Sequence, residues 1–222
     1  MKNGIKIVIS QIRQFFILYL LLLAACFVIK LLFSRVTIYF EVNSWHWPFT
    51  DFLAPYVTDL GEGWTIVIIS LFIALFNYRA AFLMATSYGL TAILAQIIKP
   101  IFNAPRPTLY FKDQLSRIHL VKGVEIYTHN SFPSGHTVTA FTAAVVATYL
   151  CKNKSLSFLF LLIAILVGFS RMYLSEHFFE DVTAGSVIGV ILTIFWLGWL
   201  DSRKFIHSSG WNNGLFFKQQ PK

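Results

Sequence analysis

The sequence is poor in charge. Lysine, arginine, aspartate and glutamate make up 13% of its 222 residues, about half of the ~25% usual for soluble domains. Too few charges are present to coat a globule, which excludes an ordinary soluble domain. Disorder is excluded as well, because it needs low hydrophobicity with high net charge, and here 56% of residues are hydrophobic. Cysteine is scarce. Cys26 and Cys151 both sit inside apolar runs, so neither a disulfide framework nor a cysteine metal site is expected. No internal repeat or low-complexity segment stands out. A polytopic membrane protein is the class that remains.

What the chain does have is long apolar runs, nearly free of charge, at about 14–33, 63–78, 80–98, 136–151, 155–170 and 182–200. A helix needs ~20 residues to cross ~30 Å of hydrocarbon. Shorter runs rely on tilt or on snorkelling ends; the second has 16 residues between Glu62 and Arg79. The expected fold is all-α: one membrane-embedded domain over residues 1–222 with six transmembrane helices. A short interfacial helix is expected within 35–62, where Trp45, Trp47, Phe52, Leu53 and Tyr56 suit the headgroup level. Leu23-Ala24-Ala25-Cys26 is like a lipoprotein cleavage box. The apolar run continues past it through Phe27, Val28 and Ile29, so a first transmembrane helix is the reading adopted. Ala140, Ala143, Ala144 and Ala147, and the pair Gly185 and Gly189, are expected to form close helix contacts. The tail from Asp201 reads as loosely ordered.

The net charge of +8 is explained by topology. With six crossings and a cytoplasmic N-terminus, Lys2, Lys6, Arg13, Arg79, Lys152, Lys154, Arg203, Lys204, Lys218 and Lys222 lie inside. Of the acids only Asp201 lies inside. Basic cytoplasmic loops are what membrane insertion favours. No nucleic-acid partner is needed to account for the charge. The expected location is a bacterial inner membrane, with both termini cytoplasmic.

In this topology polar residues gather at the outer ends of the last four spans. Lys99 ends the third span, and Arg106 and Pro107 follow in the loop. Pro133, Ser134, Gly135 and His136 open the fourth, Ser170 and Arg171 end the fifth, and His177 and Asp181 begin the sixth. Three cations, Lys99, Arg106 and Arg171, match a doubly charged anion; arginine offers a two-pronged fork to phosphate and lysine a point charge. Ser134 and Gly135 lie at a helix start, where free N–H groups favour anions. His177 and Asp181, four apart, are expected on one helix face. A carboxylate on one imidazole nitrogen leaves the other free to attack. His136 is a second histidine, suited to general acid work. Glu180 is a rival partner for His177. Taken singly, each feature has an ordinary use as an anchor, a turn or a surface pair; their convergence at one membrane level is what points to chemistry. A zinc site at His136, His177 and Asp181 fits poorly beside three cations.

Lys99-x6-Arg106-Pro107, Pro133-Ser134-Gly135-His136 and Ser170-Arg171-x5-His177-x3-Asp181 resemble the three signature motifs of the type 2 phosphatidic acid phosphatase superfamily, complete and in order. The resemblance to its membrane lipid phosphatase branch implies metal-independent hydrolysis with no cofactor. His177 would attack phosphorus and form a phosphohistidine, oriented by Asp181. His136 would protonate the leaving oxygen. Lys99, Arg106, Ser134, Gly135 and Arg171 would bind the phosphoryl oxygens. The implied partner is a phosphorylated lipid at the periplasmic face: phosphatidate, phosphatidylglycerophosphate, a polyprenyl diphosphate or lipid A. Competing readings are a lipid-to-lipid phosphotransferase and a non-catalytic phospholipid binder or transporter. A vanadate-dependent haloperoxidase has similar motifs, but six apolar spans and the small size argue against it. The loop 108–130, with Lys112, Arg117 and Lys122, lies outside the motifs, where substrate choice is expected to reside.

Overall fold

The computed structural model describes residues 2–218. Lys222 and the side chain of Lys2, both counted above on the basic side, lie outside the described part. Every regular element among the described residues is helical, as composition led one to expect. Helix α1 (Lys2–Gln11) leads into α2 (Arg13–Leu32). Then follow α3 (Arg35–Ser44), α4 (Pro48–Asp59), α5 (Gly63–Ala74), α6 (Tyr78–Phe102), the single turn α7 (Pro107–Tyr110), α8 (Gly135–Leu150), α9 (Ser157–Tyr173) and α10 (Phe179–Asp201).

Among the described residues, four segments are long and apolar enough to cross a membrane. They are centred on α2, α6, α9 (with the turn from Lys154) and α10. The pair α4 and α5, bent by 56°, makes a fifth if the two count as one span. The runs at 63–78 and 136–151 thus correspond to shorter helices, of 12 and 16 residues. The second of these, α8, is the hub. It packs against α10, α9 and α6, and it buries small and hydroxylic residues from Thr137 to Thr148. Its threonines find partners inside the bundle: Thr142 Oγ1 donates to Thr91 Oγ1 on α6 at 3.1 Å, and Thr148 Oγ1 to the Ala144 carbonyl at 2.8 Å. Such internal pairing is needed where no water reaches. Large apolar side chains point outward instead, among them Leu21, Phe27 and Leu31 on α2 and Ile68, Leu71 and Phe72 on α5. This inverted pattern is that of a lipid-facing bundle. Three of the four alanines of the expected stripe pack: Ala140 and Ala144 belong to the main core, with Ala143 against it.

The interfacial stretch forms two helices rather than one. Trp45–Trp47 break the run, and Pro48 restarts it at the first position of α4, where a missing N–H costs nothing. Trp45, Trp47, Phe49, Phe52 and Tyr56 are exposed, as a headgroup-level location requires. The inner sides of these helices clamp the site. Tyr39 and Phe40 of α3 stack with Phe111, Ile118 and Phe178. Asn43 bonds the backbone of His119 through both amide atoms, at 2.8 and 2.9 Å. Asp51 of α4 accepts from Tyr173 of α9.

The tail departs from expectation. Residues 204–212 form two short 3₁₀ turns with Ile206 buried. Beyond them, the Leu215 and Phe216 N–H groups donate to the Ala74 and Leu75 carbonyls at 3.2 and 2.8 Å. The last carbonyls of a helix lack intrahelical partners. At the end of α5 the tail supplies them.

Close approach of α10 to α8 depends on the two glycines read from the sequence. A side-chain carbon at Gly189 would stand 2.7 Å from the Val138 carbonyl, and one at Gly185 would stand 2.8 Å from the Ser134 carbonyl. Overpacking of this kind costs about 1–3 kcal/mol. Gly189→Val is therefore expected to lower the thermal midpoint of the detergent-purified protein by several degrees. An unchanged midpoint would show that α10 has room to shift.

Candidate active site

The site assembles where four helix ends meet the long loop. Helix α6 ends just past Lys99, with Asn103 in the left-handed region at φ 40°. The chain then turns back through Arg106. The two arms of the loop are pinned together: the Arg106 N–H donates to the Thr128 carbonyl at 2.8 Å and the Ser131 N–H to the Ala104 carbonyl at 2.9 Å. Arg106 itself is buried. Its Nε donates to the His129 carbonyl at 3.0 Å, and the guanidinium lies 5.0 Å from the centre of the Tyr127 ring.

Arg171 reaches the same place from the end of α9. Its Nη1 donates to Thr58 Oγ1 at 2.7 Å. Its Nη2 lies 3.4 Å from Glu176 Oε2, the same oxygen that pairs with Arg106 Nη1. The Arg171 Nε is buried with no hydrogen-bond partner. A buried orphan donor on a cation is costly, and an incoming anion is its natural partner. Lys99 completes the set, within electrostatic reach of both arginines. A side-chain carbon at Gly135 would stand 3.6 Å from Lys99 Nζ, so glycine keeps open the space between the lysine and the first turn of α8. Ser134 precedes that turn, fully buried. Its side chain does not cap the helix; it accepts from Thr137 Oγ1 at 2.9 Å.

His177 differs from expectation in one respect. Helix α10 begins at Phe179, so His177 lies in the preceding turn and not on a shared helix face with Asp181. The turn is wound around one acceptor: the N–H groups of Glu176 and His177 both donate to the Arg171 carbonyl, at 3.0 and 3.1 Å. Ser175 takes the left-handed region at φ 58°, and its hydroxyl is held by Tyr39 at 2.9 Å and Asn43 at 3.2 Å. The histidine still meets Asp181, with Nδ1 3.7 Å from Oδ2. Ser131 links the pair. Its Oγ donates to Asp181 Oδ2 at 2.5 Å and lies 3.4 Å from His177 Nδ1. The Phe178 N–H also donates to Asp181 Oδ2, at 2.9 Å. All these contacts are on the Nδ1 side, which leaves Nε2 for the substrate. Burial holds the His177 imidazole neutral, its pKa pushed down to about 3 against the opposing pull of Asp181. Glu180, the rival partner, turns away to Lys30 and Arg35.

His136, at the start of α8, points its Nε2 at Glu62 Oε1, 2.8 Å away. That hydrogen bond holds the Glu62 carboxyl down to about 2. The pair stands in a groove of about 410 Å³ whose walls include Trp64, Val67, Tyr88, Gln96, Lys99 and Gly135. The groove lies between α5 and α6, whose outer surfaces carry exposed apolar side chains.

All eight site residues read from the sequence therefore converge. Four others went unread: Ser131, Glu62, Glu176 and Thr58. Ser131 sits two residues before Pro133 and Glu176 directly before His177, so both were within sight of the motifs. Glu62 and Thr58 lie in a distant segment with no local mark beyond Gly61 and Gly63. Burial raises the Glu176 pKa, opposed by Arg106 and Arg171. Of the loop basic residues, Arg117 is engaged with Gln114 at 2.9 Å and with the Phe40 ring. Among the described residues, no three histidines, cysteines or carboxylates are placed to hold a metal ion.

Known proteins share this fold. A solved structure of Aquifex aeolicus LpxE superimposes with a TM-score of 0.66 and 28% identity, over 74% of this chain and 96% of that one. A transmembrane PAP2-type phosphatidylglycerolphosphate phosphatase from Bacillus subtilis superimposes with a TM-score of 0.65 and 25% identity, over 88% of this chain and 98% of that one. In sequence, phosphatidylglycerophosphatase B of Bacillus subtilis is 29% identical over 155 residues, 64% of this chain. The match spans 65% of that relative's length. The membrane-crossing helices and these neighbours make the chain an integral membrane protein. The profile of the PAP2 superfamily matches residues 80–205, which contain all three motifs, and the chain belongs to that superfamily.

Proposed function

We propose that this chain is a membrane lipid phosphate phosphatase that works through a phosphohistidine. The observation that carries the reading is the cluster of buried Arg106 and Arg171 beside a neutral histidine, with half-buried Lys99 in electrostatic reach of both arginines and Arg171 Nε unpartnered. The phosphoryl group sits among the three cations and the first turn of α8, where developing charge is stabilised by groups already in place. His177 Nε2 attacks phosphorus in line, and the bond to the lipid oxygen breaks. His136 gives that oxygen its proton. Water then attacks phosphorus, giving a proton to His136 as the bond to His177 Nε2 breaks, and inorganic phosphate leaves. Asp181, with Ser131, holds the His177 tautomer. The cations supply the electrostatic role that a divalent metal plays elsewhere.

The lipid end is proposed to lie in the groove between α5 and α6, tails toward the bilayer. Phosphatidylglycerophosphate is the first substrate to try, given the relative named for it; phosphatidate, a polyprenyl diphosphate and lipid A follow. The whole chain serves as one membrane-embedded phosphatase domain in a bacterial inner membrane, with termini cytoplasmic and the site periplasmic. The basic residues at the termini and in the turn at 152–154 support that orientation.

Phosphate release by detergent-purified protein, offered these four lipids with EDTA present, tests the reading. At least one lipid is expected to be hydrolysed, with His177→Ala below a tenth of the wild-type rate. Release from none, or a mutant above that level, overturns it. The pH dependence is also fixed in sign. A depressed pKa means that His177 keeps its lone pair as pH falls, down to about 3. In kcat/KM the nucleophile should thus contribute no acid limb between pH 7 and 5. A limb near 6.5 that moves in Asp181→Asn would show His177 titrating in its ordinary range. Orientation is tested with Lys122→Cys and Asn153→Cys in a chain lacking Cys26 and Cys151. The first should label from outside intact cells and the second only after permeabilisation; the reverse pattern inverts the topology.

A further inference from the structure

We propose that Glu62 is the positioning residue for His136: it fixes the ring with Nε2 toward the carboxylate, stabilises its imidazolium, and so leaves Nδ1 to exchange the proton with the leaving oxygen and later with water. The proposal deepens the phosphatase reading above and rests on it for the identity of the step. Its physical basis is the way the segment before α5 is built. Gly61, Glu62 and Gly63 occupy a turn closed by the Gly61 N–H on the Thr58 carbonyl at 2.8 Å and the Glu62 N–H on the Asp59 carbonyl at 3.1 Å. Thr65 Oγ1 also donates to the Asp59 carbonyl at 2.6 Å.

Close approach to backbone requires the first flanking glycine, and the second abuts a tyrosine. A side-chain carbon at Gly61 would stand 2.9 Å from the His136 carbonyl and 2.6 Å from Val167 Cγ1; one at Gly63 would stand 2.1 Å from the Tyr88 hydroxyl. The turn is thus pressed against the very residue whose side chain Glu62 meets. A half-exposed carboxylate on a loose loop is worth little to a partner. One whose backbone is docked on its partner's backbone loses less entropy on pairing.

The electrostatics give the contact a task. Facing His136 are Lys99 from α6 and Arg171 from α9, both cationic, with Glu62 as the acidic group opposing them. Burial, the largest influence, and these two cations all disfavour an imidazolium. A general acid beside a phosphate-binding cluster needs a counter-charge that does not occupy the phosphate site, and Glu62 approaches from the groove side. The His177–Asp181 pair does not perform this service, since Asp181 is spent on Nδ1 of the nucleophile, Ser131 and the Phe178 N–H.

The test is a double-mutant cycle on the full-length protein in detergent, using whichever lipid phosphate the wild type cleaves. Glu62→Gln, Glu62→Asp, His136→Ala and the double mutant Glu62→Gln/His136→Ala are measured for kcat and KM between pH 5 and 9, with monodispersity and thermal midpoint as folding controls. Glu62→Gln is expected to lower kcat about tenfold or more, to leave KM within about twofold, and to move the basic limb down by about one pH unit. Glu62→Asp should recover part of the loss. In the His136→Ala background the same change should cost less than about twofold, because the residue acts through the ring. An unmoved basic limb, or a loss that multiplies with that of His136→Ala, overturns the proposal. A readout independent of turnover separates this failure from that of the phosphatase reading: the His136 imidazole pKa, followed by NMR of histidine-labelled protein, should fall in Glu62→Gln. An unchanged value overturns the pairing even if the enzyme proves active; a fall supports it even if none of the lipids is cleaved.

Discussion

Three cations held at one level of a membrane protein repel one another, and the rest of the structure is arranged around that constraint. Each would prefer water, and each sits largely out of it. The fold does not neutralise them fully. Glu176 bridges the two arginines through one oxygen, and Glu62 stands on the groove side near Lys99 and Arg171. Two carboxylates against three cations leave positive charge in excess, and one guanidinium nitrogen remains without a partner. That excess makes the cluster complementary to an anion. Glu176 also ties the two arginines together, fixing their separation.

Keeping like charges together demands a rigid frame, and the frame is built from contacts that are dull individually. Helix α8 supplies a small-residue surface onto which α6, α9 and α10 close. The two glycines of α10 let its backbone approach that surface, bringing Asp181 to the Ser134 N–H, which donates to the Asp181 carbonyl at 3.0 Å. The aromatic cluster of Tyr39, Phe111 and Phe178 then lies over the turn that carries His177. Remove the close packing and the motifs remain in the sequence but no longer at one point in space.

Much of this was legible beforehand, for a physical reason. The outer ends of four spans must lie at one membrane level, so spacing alone brought Lys99, Arg106, Ser134, Gly135, His136, Arg171, His177 and Asp181 together. What escaped were features decided by tertiary contact. Glu62 is 74 residues from His136, and before an apolar run it reads as an ordinary boundary charge. Glu176 stands next to His177 in sequence, but its bridge between two arginines appears only in the fold. Spacing suggested a helical His177, but the turn around the Arg171 carbonyl delays α10 by two residues. The docked tail was hidden because its partners are backbone carbonyls at the end of α5, which carry no sequence signal.

The two histidines illustrate why one site contains two such unlike pairs. His177 and Asp181 have side chains only 1% and 4% exposed, whereas His136 and Glu62 are 20% and 50% exposed. A nucleophile must be neutral when substrate arrives and shielded from competing protons, so burial helps it even at the expense of basicity. An acid–base group must be reloaded after each turnover and must meet both the departing lipid oxygen and the entering water. Complete burial would strand it in one protonation state. Placing the first pair in the dry interior and the second at the mouth of the groove separates the two requirements, although both use the same imidazole–carboxylate chemistry. In the phosphatase reading proposed above, this gives the site a direction: phosphate on the buried side, with the lipid coming and going past His136.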